Sequence, residues 1–345
     1  MRLALDAMGG DFAPQKIVEG AVLFVRETSI PVILVGKEDK IREELAKHNT
    51  SGLPITVHPA SEVIEMHESP SKASKSKHDS SIVVATKLVA EGKADAVISA
   101  GNSGAAMTSA LRYLGRLHGV SRPAIATLIP TLSGHCIVTD AGANAECKPE
   151  YLLQFAIMGK LTAQAILDIK EPTVGLLSIG EEKEKGNDLT KHAFPLLEAS
   201  KDIRFVGNVE GRDIPKGKAD VVVCDGFVGN VVLKTMEGTA EVIGNMIRAE
   251  IMKSFLAKIG YLLLRPAFKK FKKKVDWAEY GGAPLLGVNG VCIISHGKST
   301  AKAIKNALKA AELFVEKKVN EEITAEIARI QPASNPPLEV PVQSA

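Results

Sequence analysis

Short apolar, β-branched runs alternate along this chain with amphipathic stretches of helical period, and that alternation is what most narrows the fold. Strand-like runs fall at residues 2–6, 32–36, 55–58, 96–99, 124–129, 137–140, 174–178, 203–206, 221–224 and 291–295. Helical patterns fall at 14–26, 40–47, 82–91, 104–115, 151–166 and 300–318. Parallel neighbours need long crossover connections, and a helix after a strand supplies one. The pattern therefore predicts an α/β fold of three layers, with a mostly parallel sheet covered by helices on both faces. No repeat and no linker divides the chain, so residues 1–319 are expected to form a single α/β domain. At 345 residues and 45% hydrophobic content, enough apolar surface is present for one large core.

Two stretches read as irregular. Residues 66–81 are rich in Ser and Lys and contain Pro70, which predicts an exposed loop. The helical pattern fades beyond Asn320 into a segment containing Pro332, Pro336 and Pro337, so residues 320–345 are expected to be a flexible tail. Cys136, Cys147, Cys224 and Cys292 form no C-x-x-C pair. They read as free thiols of a reducing compartment, with no metal site. Asp6 interrupts the first apolar run well short of a signal-peptide core, and no run is long enough to span a bilayer, so a cytoplasmic protein is expected.

The formal net charge of +3 is uneven. Residues 251–275 carry eight Lys and Arg and no acid, so the remaining chain sums to −5. Within that stretch, Leu262, Leu263 and Leu264 precede Pro266, and Lys269, Lys270, Lys272 and Lys273 follow it. Apolar residues around a Gly260/Pro266 break and a lysine cluster predict a protruding helical hairpin over 240–276. Its stem suits dimerisation and its tip suits an anionic membrane, where each Lys contributes about 1 kcal/mol. Nucleic acid is a poorer partner, because no base-stacking platform accompanies the charge.

Six polar, glycine-bearing turns follow strand-like runs: Asp6 to Asp11, Gly101 to Gly104, Asp140 to Asn144, Gly180 to Asn187, Asp225 to Asn230, and Ser295 to Ser299. In a parallel sheet such strand ends share one edge, so the six turns are expected to converge on one cleft. Each alone also fits an ordinary N-cap or tight turn. No Gly-x-Gly-x-x-Gly fingerprint is present, and Cys292 stands where a Walker loop ending at Gly297-Lys298-Ser299 needs glycine. Ala105 likewise stands where a nucleophile elbow around Ser103 needs glycine. What is left is a site for a small oxyanion such as phosphate, built from Asn amides, backbone N–H groups, lysine and His296, with no cofactor.

The turns also carry a family resemblance. Asp6-Ala7-Met8-Gly9-Gly10-Asp11 with Ala13-Pro14, Ser99-Ala100-Gly101-Asn102, Asp140-Ala141-Gly142-Ala143-Asn144, Ala156-Ile157-Met158-Gly159, Cys224-Asp225-Gly226-Phe227, Leu233-Lys234-Thr235-Met236-Glu237-Gly238 and Tyr280-Gly281-Gly282-Ala283 resemble the PlsX family, in order over residues 1–318. The resemblance implies an acyltransferase that converts acyl-ACP and inorganic phosphate to acyl phosphate and free ACP for phospholipid synthesis. It implies a fold akin to phosphotransacetylases and isopropylmalate dehydrogenases, and a homodimer held peripherally at the inner face of the cell membrane. The downstream membrane glycerol-3-phosphate acyltransferase is a further implied partner.

Carried onto this sequence, the resemblance makes Lys185, His296 and Asn102 the catalytic candidates. Asp6, Gly9, Gly10, Asp11, Gly101, Ser103, Gly104, Asp140, Asn144, Asn187, Asp225, Gly226 and Asn230 become the substrate-binding candidates. Asp6 and Asp11 are expected to orient their loop, since carboxylates repel a dianion. Ser103 and Val228 stand where threonine is common in the family; Val228 removes a hydroxyl, so that side chain is not needed for chemistry. The basic segment Lys72 to Lys77 suits docking of the acidic carrier protein, and equally an ordinary solvated surface. Two rival readings are a dehydrogenase of the related fold and a non-catalytic membrane scaffold.

Overall fold

A computed structural model of the chain describes residues 1–275, 279 and 281–330; the side chains of residues 270 and 272–275 fall outside that description. The first half runs β1 (Leu3–Asp6), α1 (Gln15–Thr28), β2 (Val32–Gly36), α2 (Glu38–Leu45), β3 (Ile55–Pro59), α3 (Pro70–Ser76), α4 (Ser81–Ala90), β4 (Ala96–Ser99), α5 (Ser103–Tyr113), β5 (Ala124–Pro130) and β6 (His135–Thr139). There follow α6 (Pro149–Leu167), β7 (Thr173–Leu177), α7 (Asp188–Ala199), β8 (Arg204–Val209), β9 (Val221–Val223), α8 (Gly226–Lys253) and α9 (Phe255–Val275). The chain closes with β10 (Ala283–Leu286), β11 (Val291–Ile294), α10 (Ala301–Glu316) and α11 (Val319–Ile330).

Eleven strands form one sheet in the order β3-β2-β1-β4-β11-β10-β5-β6-β9-β7-β8, with helices on both faces. All four residues of β1 and of β4 are buried, which is why these strands read as apolar runs without alternation. α1 and α10 pack together closely: a Cβ at Gly20 would lie 2.6 Å from Ile304 Cβ.

The sheet is mostly parallel, but three successive antiparallel pairings, β11–β10, β10–β5 and β5–β6, reverse its sense. β6, β9, β7 and β8 consequently run opposite to β1, β2, β3, β4 and β11. This corrects the expectation of a single shared edge. Turns after β1, β4 and β11 leave one edge, and turns after β6, β7 and β9 leave the other. The strand responsible, β10, is four residues long and opens Ala283-Pro284, too short and too proline-bearing to read as a strand.

Three other expectations change. Residues 66–81 are not loop throughout, because Pro70 sits at the first position of α3, where its missing N–H has no intrahelical partner to lose. Ala73 and Ser74 are buried on that helix. Residues 320–330 are helix where a flexible tail is expected: Val319, Ile323 and Ile327 repeat at four-residue spacing and are at most 1% exposed on α11, which packs on α6. Lys160 pairs with Glu326 at 3.0 Å, and the Asn320 amide donates to the carbonyls of Val288 and Gly290. Residues 331–345 lie outside the described residues.

The hairpin is present, with its turn elsewhere. α8 ends at Lys253; the hydroxyl of Ser254, the next residue, accepts the Ala257 N–H at 3.3 Å and starts α9, while Gly260 and Pro266 both lie inside α9. Phe255, Leu256, Leu262 and Leu263 are between 64% and 79% exposed, and Leu264 and Lys269 are exposed too. The expected membrane contacts of Lys270, Lys272 and Lys273 fall on side chains outside the described residues. No described helix is long and apolar enough to cross a membrane.

Candidate active site

β1, β4 and β11 are parallel neighbours, so the turns that follow them stand side by side. Asp6, 2% exposed, anchors them: its Oδ2 accepts the Ser99 hydroxyl at 2.7 Å and its Oδ1 accepts Met8 N–H at 3.2 Å. Ser99 Oγ in turn accepts the Gly101 N–H at 3.0 Å. Burial raises the Asp6 carboxyl above its ordinary 3.8, and hydrogen bonds from Ser81 and Ser99 oppose that rise. A Cβ at Gly9 would lie 2.6 Å from Asp6 Oδ2 and 2.7 Å from Gly101 N, and Gly10 has φ +104°. Both positions therefore demand glycine. Asp11 joins through its backbone, its N–H donating to Gly297 O at 2.8 Å.

Asn102 is fully engaged. Its Oδ1 accepts Ala105 N–H at 3.1 Å and caps α5, while its Nδ2 faces the carbonyls of Glu65, Met66 and Glu68 at 3.4, 3.3 and 3.1 Å. It holds the 65–68 segment over the site instead of aiming an amide at substrate. With Ala105 N–H on the cap side chain and Ala106 N–H on Asn102 O, the N–H groups of Ser103 and Gly104 are the ones left at the start of α5 for an anion.

His296 is half-buried in the turn after β11. Its Nδ1 accepts the Lys298 N–H at 3.1 Å, which places the neutral ring's proton on Nε2. Burial, then Lys234, hold its pKa below 6.5. Lys234 and Glu237, an ion pair at 2.8 Å on α8, are thus electrostatic neighbours of His296. Reading single turns overlooked both residues. The signal was there in the Leu233 to Gly238 motif, which carries the family resemblance.

The turns after β6 and β9 form a second group. Asp140, fully buried, accepts N–H groups from Ile125, Gly142, Ala143 and Asn144 and the Asn144 amide, at 2.7 to 3.0 Å. Asn144 Nδ2 also donates to Pro123 O, and Asn144 O accepts Gly226 N–H, both at 2.7 Å. Asp140 and Asn144 thereby build the turn. Asp225 caps α8 through Val228 N–H at 2.9 Å, and Asn187 caps α7 through Thr190 N–H at 2.9 Å. Asn230 is exposed beside Gly142. α8 links the groups: it starts against Asn144 and carries Lys234 toward His296.

Lys185 stands on the loop between β7 and α7, which leaves the sheet at the edge opposite the His296 turn. The structure separates the two lysines there. Lys183 is paired with Glu198 and lies over the Phe194 ring, whereas exposed Lys185 has no carboxylate partner among the described residues. Burial pushes the Cys136 and Cys292 thiols up to about 12, so they are inert packing groups. Among the described residues no cluster of His, Cys, Asp and Glu is arranged to hold a metal ion.

The fold is shared with solved acyl-transfer enzymes at low sequence identity. A phosphotransacetylase from Streptococcus pyogenes superposes with TM-score 0.58 at 17% identity, covering 95% of this chain and 94% of that one. EutD phosphotransacetylase from Staphylococcus aureus gives 0.56 at 18%, covering 91% and 94%. The architecture is thus a three-layer α/β fold with phosphotransacetylase topology.

Sequence comparison is sharper. The model of a family described as "Fatty acid synthesis protein" matches residues 1–322. The phosphate acyltransferase of Geobacter sulfurreducens is 57% identical over 325 residues, 94% of this chain and 93% of that protein. That of Dictyoglomus turgidum is 54% identical over 331 residues, 96% and 98%. The chain belongs to the PlsX family of phosphate acyltransferases, enzymes of fatty acid and phospholipid synthesis. This sets aside the dehydrogenase and the non-catalytic scaffold.

Proposed function

We propose that the enzyme transfers a fatty acyl group from an acyl-ACP thioester to inorganic phosphate, releasing acyl phosphate and free ACP. The observation that carries this reading is the convergence, at one sheet edge, of the Gly9–Gly10 turn, the His296 turn and the open N–H groups at the start of α5. That edge offers donors for an oxyanion without a protein nucleophile. A phosphate oxygen bonds to the thioester carbonyl carbon, the carbonyl oxygen becomes the oxyanion, and collapse breaks the C–S bond. The departing thiolate then takes a proton. Phosphate is already a nucleophile, so positioning supplies most of the catalysis, roughly 7–11 kcal/mol at best. Each good oxyanion donor adds about 2.7–4 kcal/mol.

In this reading the Ser103 and Gly104 N–H groups hold phosphate or the oxyanion with His296 beside them, while Lys185, on the loop after β7 at the opposite edge, is a separate candidate for substrate contact. Gly9 and Gly10 permit backbone approach. Asp6, Asp11, Asp140, Asn102, Asn144, Asn187 and Asp225 shape the turns. The exposed apolar hairpin supports peripheral contact with an anionic membrane on the cytoplasmic side, and pairing of two subunits along its stem. Acyl phosphate is prone to hydrolysis, so release at the membrane, where a glycerol-3-phosphate acyltransferase consumes it, is chemically economical. Palmitoyl-ACP and phosphate incubated with the protein should yield palmitoyl phosphate. Folded protein that makes none across a range of chain lengths would overturn the reading.

A further inference from the structure

α3, α4 and α5 carry Lys72, Lys75, Lys87 and Arg112 and no carboxylate. They pack as one unit, α5 touching both others, within a chain whose charge outside the hairpin is negative. Lys87 and Arg112 lie over the same Tyr113 ring at 5.3 and 5.5 Å, so cations from α4 and α5 meet at one residue. Lys72, Lys75 and Arg112 have no carboxylate partner among the described residues. This sets them apart from Lys77, which is bound to Glu68 and Val63 O.

Between α3 and α5 opens a groove of about 530 Å³ lined by Lys75, Thr108, Leu111 and Arg112: an apolar floor with a cationic rim. Its position ties it to the candidate active site. α5 begins at the turn that presents the Ser103 and Gly104 N–H groups, and Arg112 lies about 14 Å further along that helix at 1.5 Å per residue. α3 abuts the same end, since a Cβ at Gly104 would lie 2.5 Å from Pro70 Cγ. The 65–68 segment leading into α3 is the one held by Asn102.

We infer that this groove and its rim are the docking surface for the acidic protein that carries the thioester. The inference rests on the reading above that the acyl donor is bound to a carrier. Charge complementarity selects the occupant: an uncompensated cationic rim around a concave apolar floor fits an acidic protein surface with a few apolar side chains. A lipid surface fits the convex, apolar hairpin better. Docking here places the carrier one helix length from the reacting carbonyl, so the thioester reaches the site on an extended arm while the protein bodies stay apart.

The test compares wild type with a K75E/R112E double variant. A charge reversal at exposed Lys201, on the connection after α7, serves as control. With palmitoyl-ACP the double variant should show a KM raised about tenfold, kcat within about twofold and a weakened salt dependence. With palmitoyl-CoA, which has no carrier, its KM should match wild type, and K201E should match wild type on both substrates. An unchanged KM for palmitoyl-ACP overturns the inference, as does an equal rise with palmitoyl-CoA or in K201E. Wild type inactive with palmitoyl-ACP defeats the functional reading instead. Titration of unacylated ACP against both proteins still decides the docking surface, which requires weaker binding by the double variant.

Discussion

The Asp6 carboxylate accepts the Ser99 hydroxyl at 2.7 Å, joining positions 93 residues apart at the ends of two neighbouring strands. Through Ser99 the bond continues to Gly101 N–H, so one buried carboxylate sets the register of two site turns.

Ser99→Ala should therefore lower stability by about 1–3 kcal/mol, since it orphans a buried acceptor and a buried N–H. Because burial raises the Asp6 pKa in the folded state, the native protein holds that proton more tightly than the unfolded chain, and stability contributed here falls as pH rises above 3.8. Removing Ser99 withdraws a bond to the charged form and raises the pKa further. The deficit in urea melts should grow as pH rises above 3.8; a deficit independent of pH would show that the bond does not act on the charged form.

Lys185→Ala should cut turnover about 10²-fold with the fold intact. Lys183→Ala should cost under about twofold, since its ammonium is committed to Glu198 on the surface. Steady-state kinetics with unchanged circular dichroism separates the two, and equal effects would remove Lys185 from the chemistry.

His296 should show its neutral form in the acid limb of the rate profile. Burial and Lys234 lower its pKa, so the ring stays neutral at pH 7 and protonates only below 6.5. Phosphate also titrates, and His296→Gln distinguishes the two by supplying a non-titrating N–H near Nε2. The variant should keep a measurable fraction of kcat/KM and lose the component of the acid limb that belongs to His296. An identical profile in the variant would assign the whole limb to phosphate.

On the hairpin, Leu256→Glu and Leu263→Glu should each weaken binding to vesicles containing anionic lipid by about tenfold or more, given about 1.5–3 kcal/mol for burying a leucine. Acyl phosphate formation from substrates in solution should be unaffected. Sedimentation with vesicles gives the answer, and wild-type binding in both variants would move the contact elsewhere.

Much of this molecule is legible in its sequence, for identifiable reasons. β1, β2, β4 and β7 are fully or nearly fully buried, and burial on both faces writes itself as an unbroken apolar run. Asp6, Asn102, Asp140 and Asn144 could be picked out as special, but their role could not. A polar side chain that caps or braces a turn and one that grips a ligand use the same residue types, and only hydrogen-bond partners distinguish them. Strand direction was hidden because β10 is short and its pairing with β5 is set by residues more than 150 positions away. α11 was hidden because its apolar stripe is only three residues deep, flanked by acids that look like a tail. Pro70 misled because the same ring that breaks a helix interior begins a helix well.

β11 lies in the middle of the sheet, hydrogen-bonded to β4 on one side and β10 on the other, although it is encoded near the end of the described chain. A ribosome emitting this protein therefore releases β1 to β9 and the whole hairpin before the strand that joins the two halves exists. Until residues 291–294 emerge, β4 has an open edge and His296 is absent from the neighbourhood of Gly10. Catalytic competence should appear late and all at once during synthesis, and the nascent chain must keep that edge from pairing with others in the meantime.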